Sequence, residues 1–374
     1  MIFYASYFWV RMKQVYFFLL TCFLFFVGCS SDSGFMDDEP EEVSPVVLDL
    51  SQIPYPKLSD YNLFKSPLSD MVPVYGVLPY EPISPLFSDY ASKKRFIWMP
   101  KNQIATYSGD AKTLDFPDGT ILVKHFYYEN VLPENVKQLL ETRLMIRDQG
   151  EWLFFNYVWN EEQTEAVYDM EGSYVPITWM QDGQVKEVNY RIPNGAECLS
   201  CHNIAEVPLP IGTKPQNLNK DFAYADGIQN QLHKLKDFGY LTDFPNQIQT
   251  VRDYRDTSEN LELRVRSYLD INCAHCHSEE GFCNYRAPRF AFSMTSEPEN
   301  LGICIEPDEN ITPWVDGSPT HIIKPGHHAE SSLYYRINTT LENIRMPLRG
   351  RTVIHEEGVQ MITQWIDSLE PNCN

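Results

Sequence analysis

The sequence predicts an α+β fold in which a β-rich region comes first and a helical region follows. Between about residues 48 and 194, short runs of β-branched and aromatic residues alternate with turn signals. After residue 194, apolar residues recur at helical spacing in three stretches. A chain of 374 residues is long enough for two or three domains, so we expect the two patterns to form separate domains.

The N-terminus predicts a signal peptide, residues 1–29, rather than part of the fold. Arg11 and Lys13 precede an apolar run, residues 15–27, that is too short to span a bilayer comfortably. The run ends in Phe-Val-Gly-Cys at Cys29, which resembles the lipobox of bacterial lipoproteins and implies that Cys29 is lipidated. A plain secretory signal with an incidental cysteine is the alternative. Acidic residues then dominate residues 30–47, which predicts a disordered tether.

The formal net charge of −21 restricts the class of partner. Phosphate binding needs a basic face, so we expect no nucleic acid partner. An acidic surface suits a basic redox partner, although it also serves solubility alone.

Strand patterns predict a β-rich domain over residues 48–195. Residues 120–126 follow a Pro-Asp-Gly turn signal. Residues 140–147 and 152–159 flank Asp148-Gln149-Gly150, and residues 174–179 and 185–190 flank Gln181-Asp182-Gly183. Both pairs predict hairpins. The proline-rich lead-in, residues 53–85, should be irregular because proline donates no ladder hydrogen bond.

Helical patterns predict the remainder of the fold. Apolar residues share one face over residues 227–241, 261–271 and 355–369. We therefore expect a mostly helical segment over residues 196–257 and a helical domain over residues 258–374.

Two C-x-x-C-H motifs carry the chemistry. They are Cys198-Leu199-Ser200-Cys201-His202 and Cys273-Ala274-His275-Cys276-His277. Two thiols on one turn can bind the vinyl groups of haem, and the next histidine then lies under the iron. One such match alone also suits a zinc site or a redox pair. Two matches behind an export signal predict two covalently bound haem c groups, with His202 and His277 as iron ligands.

The region around the second motif resembles class I cytochrome c over residues 258–370. A helix leads into the motif, Met346-Pro347 follows about seventy residues later, and an amphipathic helix with Trp365 ends the chain. The resemblance implies an all-α cytochrome c-like domain in which Met346 is the distal ligand of the second haem. Met361 is the competing thioether, but its helical position favours the core.

Four further segments resemble a family of bacterial dihaem cytochromes whose N-terminal domain has no assigned role. They are Pro85-Leu86-Phe87-Ser88-Asp89, Glu141-Thr142-Arg143-Leu144, residues 197–202 and Leu218-Asn219-Lys220-Asp221. The resemblance supports two haems and implies no substrate.

Three cysteines remain outside the signal and the motifs. Cys283 and Cys304 both lie between the second motif and Met346, and we predict that they form a disulfide in an oxidising compartment. Cys373 has no assigned role. His275, inside the second motif, is expected to face solvent, and Lys324 and Arg336 are candidate partners of haem propionates.

The distal ligand of the first haem stays open at this level. His233 is the only histidine between the motifs, and no methionine occurs there. Met180 and His125 are the candidates in the β-rich domain. A vacant or water-bound iron is the third alternative.

These observations favour an electron-transfer protein of the Gram-negative cell envelope. Its expected partners are redox proteins of the envelope, and the membrane through a lipid anchor, on the periplasmic or outer-membrane side. The alternatives are a dihaem peroxidase-like enzyme or a haem-based sensor, either of which needs an open site on the first haem. Whether the chain is an enzyme stays undecided, and an electron carrier is favoured.

Overall fold

The largest sheet in the described chain has eight antiparallel strands. The computed structural model describes residues 42–205 and 207–373. Strands β1 to β6 are hydrogen-bonded in chain order, and β7 pairs with both β3 and β8. The strands are β1 Leu78–Tyr80, β2 Ser92–Trp98, β3 Ile121–Val131, β4 Val136–Asp148, β5 Glu151–Trp159, β6 Ala166–Tyr168, β7 Ser173–Gln181 and β8 Gln184–Ile192.

Turn chemistry sets the register of two hairpins. Gln149 and Gly150 join β4 to β5 with φ of 50° and 80°, and Asp182 and Gly183 join β7 to β8 with φ of 50° and 76°. Two successive residues in the left-handed region make a turn whose twist matches that of antiparallel strands. The predictions of both hairpins are confirmed.

The two faces of the sheet have different neighbours because side chains alternate along each strand. On β3, His125 lies on one face, where its ring packs 4.8 Å from that of Phe64. The lead-in, residues 53–85, covers this face, and its Tyr61 accepts a hydrogen bond from Tyr157 of β5 at 2.9 Å. It is irregular only in part, because it contains strand β1 and two short 3-10 helices, Leu58–Tyr61 and Leu68–Asp70. Lys124 lies on the opposite face and lines a cavity.

Short helices follow the sheet. They are α1 Gly195–Cys201, α2 Pro215–Leu218, α3 Gln231–Asp237, α4 Leu261–Cys273, α5 Pro298–Leu301, α6 Ser332–Ile337 and α7 Glu356–Ser368. Helices α4 and α7 have the predicted positions. They bury Leu269, Trp365 and Ile366 in one core, which also contains Met361, as predicted.

The segment 196–257 is not mostly helical, and that prediction is wrong. It contains three short helices and two small hairpins. The hairpins pair β9 Asn203–Ile204 with β10 Val207–Pro208, and β11 Asp221–Tyr224 with β12 Gly227–Asn230. The helix expected at residue 227 begins only at Gln231, because Gly227 has a φ of 134° and residues 227–230 pair as a strand.

The predicted α+β fold with an all-α class I cytochrome c-like domain at the C-terminus is also wrong. The described part of the chain is β-rich, with 27% strand and 20% helix, and its residues from 43 onward form one compact unit that includes the sheet. Helices as short as α5 and α6 cannot form an independent bundle. The C-terminal region therefore packs against the β-rich part instead of forming a separate domain. Asp89 accepts a hydrogen bond from the Val353 backbone at 3.0 Å, and the Phe87 ring stacks 4.1 Å from that of His355.

The predicted disulfide between Cys283 and Cys304 is wrong as well. Cys304 is bonded to Cys373, and Cys283 is a buried free thiol. Sequence spacing does not determine which cysteines pair. Here the chain end after α7 returns to Cys304, whose Sγ lies 3.5 Å from the carbonyl oxygen of Asn372.

Some predictions concern residues outside this description. The signal peptide, the lipidated Cys29 and most of the acidic tether lie outside the described residues. Within the described part of the chain, no helix has the length and apolar character needed to cross a bilayer.

Candidate haem attachment sites

The first motif is presented by helix α1. Asn194 caps this helix: its side chain accepts from the Glu197 backbone at 3.0 Å, and the Glu197 carboxylate accepts from the Asn194 backbone at 3.0 Å. Arg191 of β8 donates to Glu197 at 2.8 Å, which ties the helix to the sheet. Cys198 and Cys201 thus lie one helical turn apart, and His202 follows where the helix ends.

The second motif continues from the end of helix α4. Cys273 is the last residue of that helix, and its carbonyl oxygen accepts from the backbones of Cys276 at 3.1 Å and His277 at 3.0 Å. The motif therefore forms a further turn that brings both thiols and the histidine to one end of the helix.

The two motifs meet in space. Ligand atoms of Cys201, His275 and Cys276 lie within 4.8 Å of one another, and the Cys276 thiol lies 3.8 Å from the carbonyl oxygen of Ser200. His275 was predicted to face solvent, and this prediction is wrong. Its Nδ1 is buried and has no hydrogen-bond partner within the described chain. A hydrogen bond from Cys276 lowers the pKa of the Cys201 thiol. Two thiols and an imidazole are also donors that zinc or copper takes.

The histidine of the first motif is oriented by the protein. His202 Nδ1 lies 2.8 Å from the carbonyl oxygen of Leu209, and its ring packs 4.9 Å from that of Phe154. Burial lowers the pKa of His202 to about 4, so the ring is neutral at pH 7. A neutral ring that donates from Nδ1 leaves Nε2 as a metal ligand.

The histidine of the second motif is neutral but less constrained. Burial lowers the pKa of His277 to about 4, and its ring packs 5.3 Å from that of Phe290. Its buried Nδ1 has no hydrogen-bond partner among residues 42–205 and 207–373. An orphaned buried nitrogen is the kind of group that a ligand, metal or water satisfies.

Each motif opens into a cavity. The cavity at the second motif has a volume of about 550 Å³, within the range of cofactor sites, and is lined by Cys273, Cys276, His277 and Met346. The cavity at the first motif is narrower, about 170 Å³, and is lined by Cys198, Cys201 and His202. The donor set of both sites suits haem c, but at the first motif the long side chains along the wall must move aside to admit the macrocycle.

Met346 lies where the two cavities adjoin. It lines both of them, together with Cys201, Cys273 and His275. Its backbone donates to the carbonyl oxygen of Arg336 at 2.8 Å. The structure therefore brings Met346 near both motifs, and its assignment to the second haem stays a prediction.

The three side chains proposed for the distal side of the first haem do not line its cavity. His125 is buried on the opposite face of the sheet, where its Nδ1 lies 2.7 Å from the hydroxyl of Thr142. His233 is exposed and packs against Phe244. Met180 stands near the end of β7, outside the lining of either cavity.

Positive charge is concentrated at the first cavity, which the sequence did not predict. Seven cations and three carboxylates line it, although the whole chain carries a net charge of −21. The cations are Arg95, Lys124, Arg143, Arg191, Arg345, Arg349 and Arg351, and the carboxylates are Asp89, Glu197 and Glu342. Side chains alternate between the two faces along β2, β3 and β4, so the sequence could have indicated that each strand has a basic residue on one face. Only the strand register shows that these residues lie side by side.

Lys324 and Arg336, the predicted partners of haem propionates, are paired with carboxylates of the chain. Lys324 pairs with Glu330, and Arg336 pairs with Glu309 at 2.8 Å. Arg336 nevertheless lines the larger cavity.

No family model, curated protein or solved structure matches the chain. Its function is therefore inferred from the residues themselves.

Proposed function

We propose that this chain is an exported dihaem c-type cytochrome that transfers electrons in the bacterial cell envelope. Bound haem supplies a one-electron iron couple. Cys198 and Cys201 would attach the first haem, and Cys273 and Cys276 the second. His202 and His277 would be the proximal ligands.

The residues around the motifs have roles that follow from their contacts. The Leu209 carbonyl fixes the ring of His202, and burial keeps both proximal histidines neutral, which is the form that binds iron. Met346 would supply the thioether ligand of the second haem. Cys29 would carry the lipid anchor, and the acidic surface suits basic redox partners.

The observation that carries this proposal is the meeting of the two motifs. They are far apart in the sequence, yet the side chains of Cys201 and Cys276 lie within 4.8 Å. Electron transfer between two centres needs them to be close. An arrangement in which the attachment thiols of both motifs adjoin favours a relay over two unrelated centres.

A haem count with motif variants tests the proposal. The chain, expressed with a c-type maturation system, should hold two haems after acid denaturation and solvent extraction, as measured by a pyridine haemochrome assay. Cys198→Ser with Cys201→Ser should hold one, and Cys273→Ser with Cys276→Ser should hold one. Cys283→Ser, which changes a buried thiol outside both motifs, is the control and should hold two.

Metal analysis of the same samples separates the competing chemistry. A chain that retains stoichiometric zinc or copper and no covalent haem would overturn the proposal. It would assign Cys201, His275 and Cys276 to a soft-metal site instead.

A ligand-binding first haem is the second candidate, as in a peroxidase-like enzyme or a haem-based sensor. The positions of His125, Met180 and His233 support it, because none of them lines the cavity of the first motif. Met346, which lines both cavities, is then the competing ligand for that iron. Carbon monoxide binding to the reduced chain tests it. Binding at one of the two haems supports an open site, whereas no binding at either supports a relay with two six-coordinate irons.

A further inference from the structure

Three basic residues stand side by side on one face of the sheet. Arg95 of β2 is the register partner of Lys124 of β3, and Lys124 is the partner of Arg143 of β4. All three line the cavity of the first motif. We call Arg95, Lys124 and Arg143 the basic row.

Two members of the basic row form no ion pair within the described residues. Arg143 is paired with Glu141 at 2.6 Å. Arg95 is only 8% exposed, and no ion pair or side-chain hydrogen bond within residues 42–205 and 207–373 satisfies it. Glu81, the carboxylate that acts on Arg95 from a distance, is paired with Lys220 at 2.8 Å. Lys124 contacts the ring of Phe126, 4.7 Å away, and Glu141, the carboxylate that acts on it from a distance, is already paired with Arg143.

Such an arrangement is costly unless an anion completes it. Like charges directly opposite each other destabilise neighbouring strands, and a buried charge needs a partner. Burial and the adjacent cations also lower the pKa of Lys124. The basic row therefore has the properties of a binding site for a negatively charged group.

The row leads away from the attachment cysteines. Arg143 lies near Cys198 and acts on its thiol, whereas Lys124 and Arg95 are one and two strands further along the sheet. Each step is about 4.8 Å. A haem that is bound through its vinyl groups carries two carboxylates on the edge remote from those bonds.

We propose that Arg95 and Lys124 form a carboxylate-binding site at the first cavity and receive the propionates of the haem attached at Cys198 and Cys201. This inference rests on the proposed function and gives the β-rich region a part in it. The sheet supplies the charged wall of the first haem site, and the two motifs supply the covalent bonds.

The reduction potential of the loaded protein tests this site. Arg95→Met with Lys124→Met should lower one of the two midpoints at pH 8, because fewer cations oppose the charge of oxidised iron. That midpoint should rise as the pH falls to 5, because an unpaired propionate takes up a proton. The other midpoint should stay at its wild-type value.

Lys94→Met is the matched control, since Lys94 is an exposed lysine on the same strand. It should leave both midpoints unchanged. Arg95→Lys, which keeps the charge, should also behave as the wild type. If the double variant does not accumulate, each single variant supports the same comparison. Midpoints that match those of the Lys94→Met protein at every pH would overturn the inference.

Two further measurements separate the possible outcomes. The haemochrome assay on the same samples reports the proposed function: fewer than two haems in the wild type overturns that function, whereas two haems with unmoved midpoints overturn only the basic row. Calorimetric titration of the loaded wild type with succinate or inorganic phosphate reports the source of the anion. Binding that disappears in the double variant would assign the row to a diffusible anion and overturn the propionate assignment.

Discussion

The two C-x-x-C-H motifs have the same length and order of ligands but very different surroundings. The first lies between a short capped helix and the sheet, in a narrow cavity lined by seven cations. The second lies at the end of helix α4, in a cavity of about 550 Å³ bounded by helices and loops. Backbone contacts orient His202, whereas the Nδ1 of His277 is unpartnered within the described chain.

This difference teaches that one short motif can stand in two electrostatic environments. Under the proposed function, the motif would set the attachment chemistry and its surroundings would set the electrostatics of each haem. An iron held near many cations and one held near few have different reduction potentials, even with the same proximal ligand.

A disulfide stabilises the region around the second motif. The bond between Cys304 and Cys373 spans 69 residues of sequence. In the chain-entropy model, a loop of this size contributes about 4 kcal/mol. We expect Cys373→Ser to lower the free energy of unfolding by about that amount, as measured by chemical denaturation.

The competing pairing provides the control for this measurement. Cys283 is a free thiol, so Cys283→Ser should cost far less. A larger loss of unfolding free energy in Cys283→Ser than in Cys373→Ser would show that Cys304 pairs with Cys283. It would also show that no disulfide holds the chain end at Cys373.

The region around the first motif depends on a buried ion pair. Glu141 is fully buried and accepts hydrogen bonds from Arg143 at 2.6 Å and from Tyr190 at 2.7 Å. Glu141→Gln leaves Arg143 without a counterion, which costs about 3 kcal/mol. We expect this loss in denaturant unfolding, while Glu129→Gln, an exposed acid on β3, should change stability little. Equal effects of the two variants would show that the first region does not depend on this pair.

The smallest expected effect concerns Met346, the proposed distal ligand of the second haem. A thioether ligand raises the reduction potential relative to a second histidine. Met346→His should therefore lower one midpoint on the order of 100 mV, which is about 2.3 kcal/mol for one electron. Met361→Leu changes a methionine in the core of α7 and should leave both midpoints unchanged. A midpoint shift in the Met361→Leu protein, without one in the Met346→His protein, would show that Met346 is not the ligand.

Local patterns predicted much of the secondary structure. The hairpins around residues 149–150 and 182–183 and the helices α4 and α7 have the expected positions. In each, a turn residue or an apolar stripe determines the local conformation directly. The helix expected from residue 227 was wrong at its start, because strand pairing with residues 221–224 overrides the helical pattern.

Domain architecture was the weakest prediction. A resemblance of residues 258–370 to a helical cytochrome led us to expect an independent all-α domain. The structure instead joins that region to the β-rich part, for example through the hydrogen bond from Tyr90 to Glu357 at 2.8 Å. The sequence pattern describes which face of a helix is apolar, but it does not say which element covers that face.

The sequence by itself determined the two C-x-x-C-H motifs, the order of their cysteines and histidines, and five strands of the large sheet, because each depends on residues close together in the chain. Only the tertiary structure decided that Cys201 meets Cys276, that Cys304 pairs with Cys373 and that Arg95 stands beside Lys124. Each of these depends on which distant segments become neighbours. That choice is made by the packing and strand register of the whole fold rather than by any local preference.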